Sequence, residues 1–197
     1  DSWVRRAHIA TGNPSPHDRF VHLFLDGLYW GVYDMVERPH DSFAASYFGG
    51  EKEEYDVIRN HEEVRAGDRV AYDELVRRVS GNVATPSGYE RVLEYLDVDN
   101  FIDYIIVHMY APAVDWPGNY SMVRRRAPGE PFRFLSWDSD EAFQRPVTEN
   151  RTVPHWRDAD SPTKFFHPLK ANPEFRMRFA DRLHVHFAPD GILSTES

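Results

Sequence analysis

Two carboxylates and an amide stand at matching positions around one short hairpin. Asp115 lies in a loop over 112–118, just ahead of a strand read over 119–126, and Asp138 follows a returning strand read over 132–137. In an antiparallel pair, the entry to the first strand and the exit from the second fall at the same end, so Asp115, Asn119 and Asp138 are expected side by side. An oxygen-only set of this kind suits Mg²⁺ or Mn²⁺ held together with substrate phosphates. A carboxylate left free of metal can accept a hydroxyl proton. The plainer account is that both Asp residues cap turns, as Asp often does, and spacing alone favours it.

Competing chemistry is sparse. The chain has no Cys, which excludes disulfides, thiolate catalysis and Cys-ligated metals. His184 and His186 are two apart in a helical stretch and point in different directions, so they read as ordinary, partly exposed residues. His108, on an apolar helix, reads as a hydrogen-bonded core histidine. Asp138-Ser139-Asp140 starts like a calcium loop but has Phe143 where the loop needs Gly. Ser121, Ser136 and Ser139 lack the context of a serine hydrolase. Trp30, Trp116, Trp137 and Trp156 beside paired acids leave a carbohydrate-active module as an alternative, although Trp is first a core residue.

The elements that must position these residues follow from periodicity. Residues 19–37 alternate apolar and polar around Asp26-Gly27, a hairpin with a tight turn. A short helix opens near Asp41 and stops at Gly49-Gly50, and a strand follows over 55–60. Helical periods run from Asp68 to Gly81, over 87–96 and over 98–110, the last with Phe101, Ile102, Ile105, Ile106 and Met109 as an apolar stripe. Two prolines and a glycine make 112–118 a loop. Residues 144–163 lack any period and read as a long loop, and Asn172-Pro173-Glu174 starts a final helix. Strands, then helices, a hairpin and more helices give an α+β fold.

Composition narrows the function classes. The chain has 197 residues with 32 acidic and 23 basic side chains, a formal charge of −9. That balance argues against a nucleic-acid groove, and Arg124-Arg125-Arg126 is too short a run to reverse it. The longest apolar stretch, 101–113, is broken by Asp103, His108 and Pro112, so no membrane span is expected. The start Asp1-Ser2-Trp3, without Met or a leader, reads as an excised fragment. Twenty of the 23 cations are Arg, and only Lys52, Lys164 and Lys170 are Lys.

Three ordered blocks, FVHLFLDGLYWGVYDMVERP, DWPGNYSMVRRR and FRFLSWDSDEAF, make the chain resemble the spore-coat protein H kinase family (CotH kinases), over roughly residues 1–187. The resemblance implies one atypical protein-kinase-like domain, with a small β-rich part over 1–66 and a larger, mostly helical part over 67–197. It implies transfer of the ATP γ-phosphoryl group to Ser or Thr of a protein, with Mg²⁺ or Mn²⁺, at a bacterial extracellular, cell or spore surface. By the same resemblance Asp115 matches the catalytic aspartate, Asn119 and Asp138 match metal ligands, and Asp140 and Glu141 offer supporting acids. Arg59 stands where relatives carry a phosphate-binding Lys, with Glu37 as its candidate ion-pair partner. Arg keeps the charge but not the compact ammonium, so a catalytically impaired nucleotide-binding or interaction module is the alternative. No GxGxxG loop is present, and none of the three lysines stands where the phosphate lysine would. An upstream strand covering ATP is expected before Asp1.

Overall fold

The computed structural model describes residues 1–113, 115–116, 118–144 and 161–194. Among them the order is α1 (Ser2–Ala10), β1 (Asp18–Leu25), β2 (Leu28–Val36), α2 (Asp41–Phe48), β3 (Tyr55–Arg59), β4 (Glu63–Ala66), α3 (Val70–Val79), α4 (Pro86–Leu93), α5 (Val98–Tyr110), β5 (Ser121–Arg125), β6 (Arg133–Leu135), α6 (Thr163–Leu169) and α7 (Pro173–Phe187). The fold is α+β. Strands β1 and β2 form a two-stranded sheet, and β4-β3-β5-β6 form a second, antiparallel one.

Helix α5 is apolar on nearly every side, and such a helix is stable only when surrounded. The Asp97 side chain starts it by accepting from Asn100 N, and Phe101, Ile102, Ile105 and Ile106 are essentially fully buried. Each such side chain contributes about 1.5–3 kcal/mol on burial. One face of the larger sheet meets this helix through rings, Phe101 and Tyr104 lying 4.9 and 5.0 Å from Phe134. Its other face packs Tyr55, Val57, Val123 and Leu135 on Phe43 and Ala44 of α2. Strand β3, from the expected 1–66 part, pairs along its whole length with β5 from the expected 67–197 part.

The hairpin forms as the sequence predicts, with Asp26 and Gly27 both at positive φ (49° and 81°). Helix α1 is a departure, because the chain opens with a helix rather than strands. Its buried face combines Val4 and Ala7 with Arg5 and His8, and the two polar residues hide the apolar period. Strand β4, Glu-Val-Arg-Ala at the sheet edge, and the short α6 are further additions.

Two histidine expectations need correction. His186 is buried rather than partly exposed, because Asp103 inside the core holds its Nε2 at 2.7 Å. His108 is buried as expected but, among the described residues, has no hydrogen-bond partner on either nitrogen, its ring stacking instead 5.3 Å from Trp116.

His8 gives the fold a pH dependence. Its ring is fully buried, with Nδ1 3.2 Å from Ser136 Oγ, and burial pushes its pKa down to about 4 against a smaller upward pull from Asp103. The folded value lies below the unfolded ~6.5, so the native state excludes the proton. Stability is therefore full above about pH 6.5 and falls, by ~3 kcal/mol from this residue, as pH drops towards about 4. Urea unfolding across that window is expected to show the loss, and His8→Gln to remove its share, leaving that of the buried His108, whose pKa burial also pushes down.

Candidate active site at one end of the four-stranded sheet

The register of the larger sheet brings the sequence-predicted residues together. Arg59 ends β3 opposite Ser121 of β5, and Ser121 faces Leu135 of β6. Just past this row lie Asn60, the approach to β5 through Asn119 and Tyr120, and the exit of β6 through Ser136, Trp137 and Asp138. Asn60 N donates to Tyr120 O at 3.1 Å, extending the pairing by one step.

The loop before β5 is a tight turn. Gly118 N and Asn119 N both donate to Asp115 O, at 2.9 and 3.1 Å. Trp116 is buried and fixes the turn by donating its indole N–H to Tyr104 OH at 3.0 Å. Gly118 leaves room for the His61 ring, whose Cε1 a Cβ there would meet at 2.8 Å. Asn119 then joins both sides of the site, its Nδ2 donating to the Asp115 carboxylate and, at 3.2 Å, to the Asp138 backbone carbonyl. Its Oδ1 accepts from Asn60 Nδ2 at 3.5 Å. The nitrogen of Asn119, rather than its oxygen, therefore faces the two acidic residues.

Among the described residues, four buried polar atoms at this sheet end lack a hydrogen-bond partner: Asp115 Oδ1, Asn60 Oδ1, Arg59 Nε and Trp137 Nε1. Buried polar groups are nearly always paired, so such a concentration marks a place for water, an ion or a ligand. The backbone agrees. Asn60, His61 and Glu62 are consecutive non-glycine residues at positive φ (26°, 54° and 65°), and Asp138 is at 52°. Each costs ~1–3 kcal/mol, and such strain clusters at active sites.

Arg59 is 5% exposed and forms no ion pair among the described residues; its guanidinium lies 3.9 Å from the centroid of the Trp137 ring. Burial pushes its pKa down and nearby Arg65 and Arg38 push the same way, while Asp138 and Glu63 oppose them. Burial also pushes the Asp115 carboxyl above the usual carboxylate range, reinforced by the charges of Glu141, Asp140 and Asp138. Asp138 and Asp140 are exposed at the mouth, and Ser139 N between them donates to Asp1 Oδ1 at 3.0 Å.

Glu37 is not at this site's cation. It sits at the hairpin base, accepting from His17 N at 2.9 Å and Tyr47 OH at 3.0 Å. Among the described residues no group of three His, Asp or Glu side chains forms a ready metal cage. Trp116 is sealed in the core and Trp30 lies out on the hairpin, so neither joins Trp137 in a sugar-stacking platform; Trp156 lies outside the described residues. Sequence reasoning missed Asn60 and the stacking of Trp137 under Arg59. Asn60 directly follows the strand residue singled out for its charge, which was the available signal.

Compared with family models, residues 7–190 match that of the CotH kinase protein family. No curated protein matches the chain.

The Asp115 environment is directly measurable. In ¹³C-detected titration its carboxyl is expected to titrate above the usual carboxylate range, and Asp140→Asn to lower its midpoint by removing one of the charges that raise it.

Proposed function

Because the chain belongs to the CotH kinase protein family, we propose that it is a metal-dependent, kinase-like domain that transfers the γ-phosphoryl group of ATP to a Ser or Thr hydroxyl of a protein. The observation that carries this reading is that, among the described residues, a buried Arg59 guanidinium without an ion pair and an Asp115 carboxylate oxygen without a hydrogen-bond partner stand at one sheet end. A buried cation without a counter-ion is costly, and a phosphate offsets that cost while accepting Arg59 N–H groups. Trp137 holds the guanidinium plane, so little side-chain freedom remains to be lost on binding.

In this reading Asp115 orients the acceptor hydroxyl and takes its proton as the acceptor O–P bond forms and the P–O bond to ADP breaks. An upward-shifted carboxylate is the better base for that proton. Asn119 keeps Asp115 aimed by its amide hydrogen bond. The donors nearby are hard oxygens, which fit Mg²⁺ or Mn²⁺; Asp138 and Asp140 would hold it, with Asn119 joining them once its amide turns its oxygen to that side. Bound there, the ion would neutralise phosphate charge. Mg²⁺ commonly takes only one or two protein carboxylates besides phosphates, so the absence of a three-acid cage among the described residues is compatible with it. The same reading makes residues 1–66 and 67–197 the two lobes of one kinase-like domain and gives it a bacterial cell-surface or spore-surface setting.

A second reading, nucleotide binding without transfer, is favoured by one observation: Asn119 turns its nitrogen towards Asp115 and Asp138 and so does not present its oxygen beside Asp138.

Incubation with labelled ATP, Mg²⁺ or Mn²⁺ and a Ser-rich acceptor separates the two. Transfer is expected, with Asp115→Asn slowing it by ~10²–10⁴-fold. Incorporation no higher than that of Asp138→Ala would overturn the kinase reading. A thermal shift with ATP and metal, but no transfer even after Arg59→Lys, would establish the second.

A further inference from the structure

Residues 38–40 lead from the arm formed by β1 and β2 into α2, and they cross the four-stranded sheet at its Arg59 end. Side chains alternate faces along a strand, so Arg59 shares a face with Tyr55 and Val57, which pack on Phe43 and Ala44 of α2. Ser121, directly opposite Arg59 in the register, lies on that face too, and its Oγ donates to Pro39 O at 3.2 Å. This bond ties the 38–40 segment to the end of β3. The segment is also stiff. Pro39 is buried with its φ locked by the ring, a residue before proline is held extended, and His40 N donates to Arg38 O at 2.8 Å across the turn.

Arg38 is thereby placed near Arg59. It is exposed, and among the described residues its side chain makes no hydrogen bond or ion pair. The carboxylates of the neighbouring segments are engaged elsewhere. Glu37 accepts from His17 N and Tyr47 OH, Asp41 accepts from Ser42 N at 2.7 Å with His40 Nδ1 at 3.2 Å, and Glu63 pairs with Arg65 at 2.6 Å. Burial, then the charges of Arg65 and Arg38, push the Arg59 pKa down, against Asp138 and Glu63. Two guanidiniums, one buried and one open to solvent, therefore stand at one sheet end without an ion pair among the described residues. A polyphosphate carries enough charge to answer both, and its oxygens match the guanidinium fork.

Resting on the reading of this sheet end as a phosphate site, we propose that Arg38 is a second polyphosphate-binding residue, holding from the α2 side the phosphate chain that Arg59 holds from the sheet.

Isothermal titration calorimetry with inorganic tripolyphosphate in the presence of Mg²⁺ reads this binding without any transfer step. Arg38→Gln is expected to weaken it by about 10-fold and Arg38→Lys by less. Arg91→Gln, the same loss of charge at an exposed position of α4, is expected to leave it unchanged. Because Arg38 is exposed, the thermal midpoint of the ligand-free Arg38→Gln variant serves as the folding control. In the labelled-ATP assay the same substitution is expected to raise the KM for ATP by a similar factor, with little change in kcat. Equal tripolyphosphate affinity for the parent and Arg38→Gln, a loss matched by Arg91→Gln, or no binding by the parent overturns the proposal, even where transfer is observed. Binding that depends on Arg38 without any phosphoryl transfer sustains the proposal and overturns the kinase reading instead.

Discussion

The carboxamide of Asn100, inside α5, donates to Phe134 O at 3.1 Å and accepts from Phe134 N at 2.6 Å. Strand β6 is the edge of its sheet, and its outward backbone groups are buried against the central helix instead of meeting water or another strand. Leaving such groups unpaired would cost about 1–3 kcal/mol each. One side chain meets both, and in doing so fixes the height of β6 relative to α5. Trp137 and Asp138 follow within a few residues, so the position of the acidic mouth depends on an amide buried well outside it. That amide is itself held. Asn100 Nδ2 also donates to Asn13 at 3.1 Å, Asn13 donates to Asp103 at 2.8 Å, and Asp103 receives Arg182 and His186 from α7. Buried polar chains of this sort specify one arrangement when fully satisfied.

The site at the end of that sheet follows the opposite rule. Where the network around Asp103 satisfies its buried groups, the sheet end, among the described residues, leaves the Arg59 charge without an ion pair and the Asp115 carboxylate half-paired. The adjoining turn at 60–62 adds backbone strain, and surrounding contacts hold it in place. Glu62 accepts from Lys164 of α6 and from Arg69 at 3.2 Å, and Glu62 N donates to Tyr120 OH at 3.3 Å. The core thus supports a locally unfavourable arrangement that a bound anion would relieve, as expected where stability is given up for function.

What the sequence made legible follows from which interactions are local. The hairpin needed only alternation and Asp26-Gly27, and α5 needed only its apolar stripe. The nearness of Asp115 and Asp138 followed from antiparallel geometry, since a two-strand register is a short-range property. Three other features depend on distant contacts. Arg5 and His8 look like surface residues until Asp34 and Ser136 are placed beside them, which is why the sequence hides α1. His186 became a core residue only because Asp103, 83 positions away, faces it. Glu37 had the right charge for Arg59, but the turn after β2 carries it to His17 and Tyr47 instead. Side-chain orientation within the site was equally hidden: sequence supplies Asn119, but only Asn60 and Asp115 together decide which end of its amide faces inward.

Helix α1 connects these features. Arg5 holds the arm through Asp34 and Asp18, His8 meets Ser136 at the exit of β6, and Asp1 receives the N–H of Ser139 in the acidic loop. Its apolar residues Val4 and Ala7 pack on Val107 and Ala111 of α5, so the helix cannot shift without opening the core. A helix with a purely apolar inner face would have anchored itself as well but would have left the arm base and the acidic loop to settle independently. Placing a charge and an imidazole on that face costs stability in acid, and in return it gives the arm and the site a common rigid reference. The buried polar residues that made α1 hard to recognise in the sequence are the ones that give it this role.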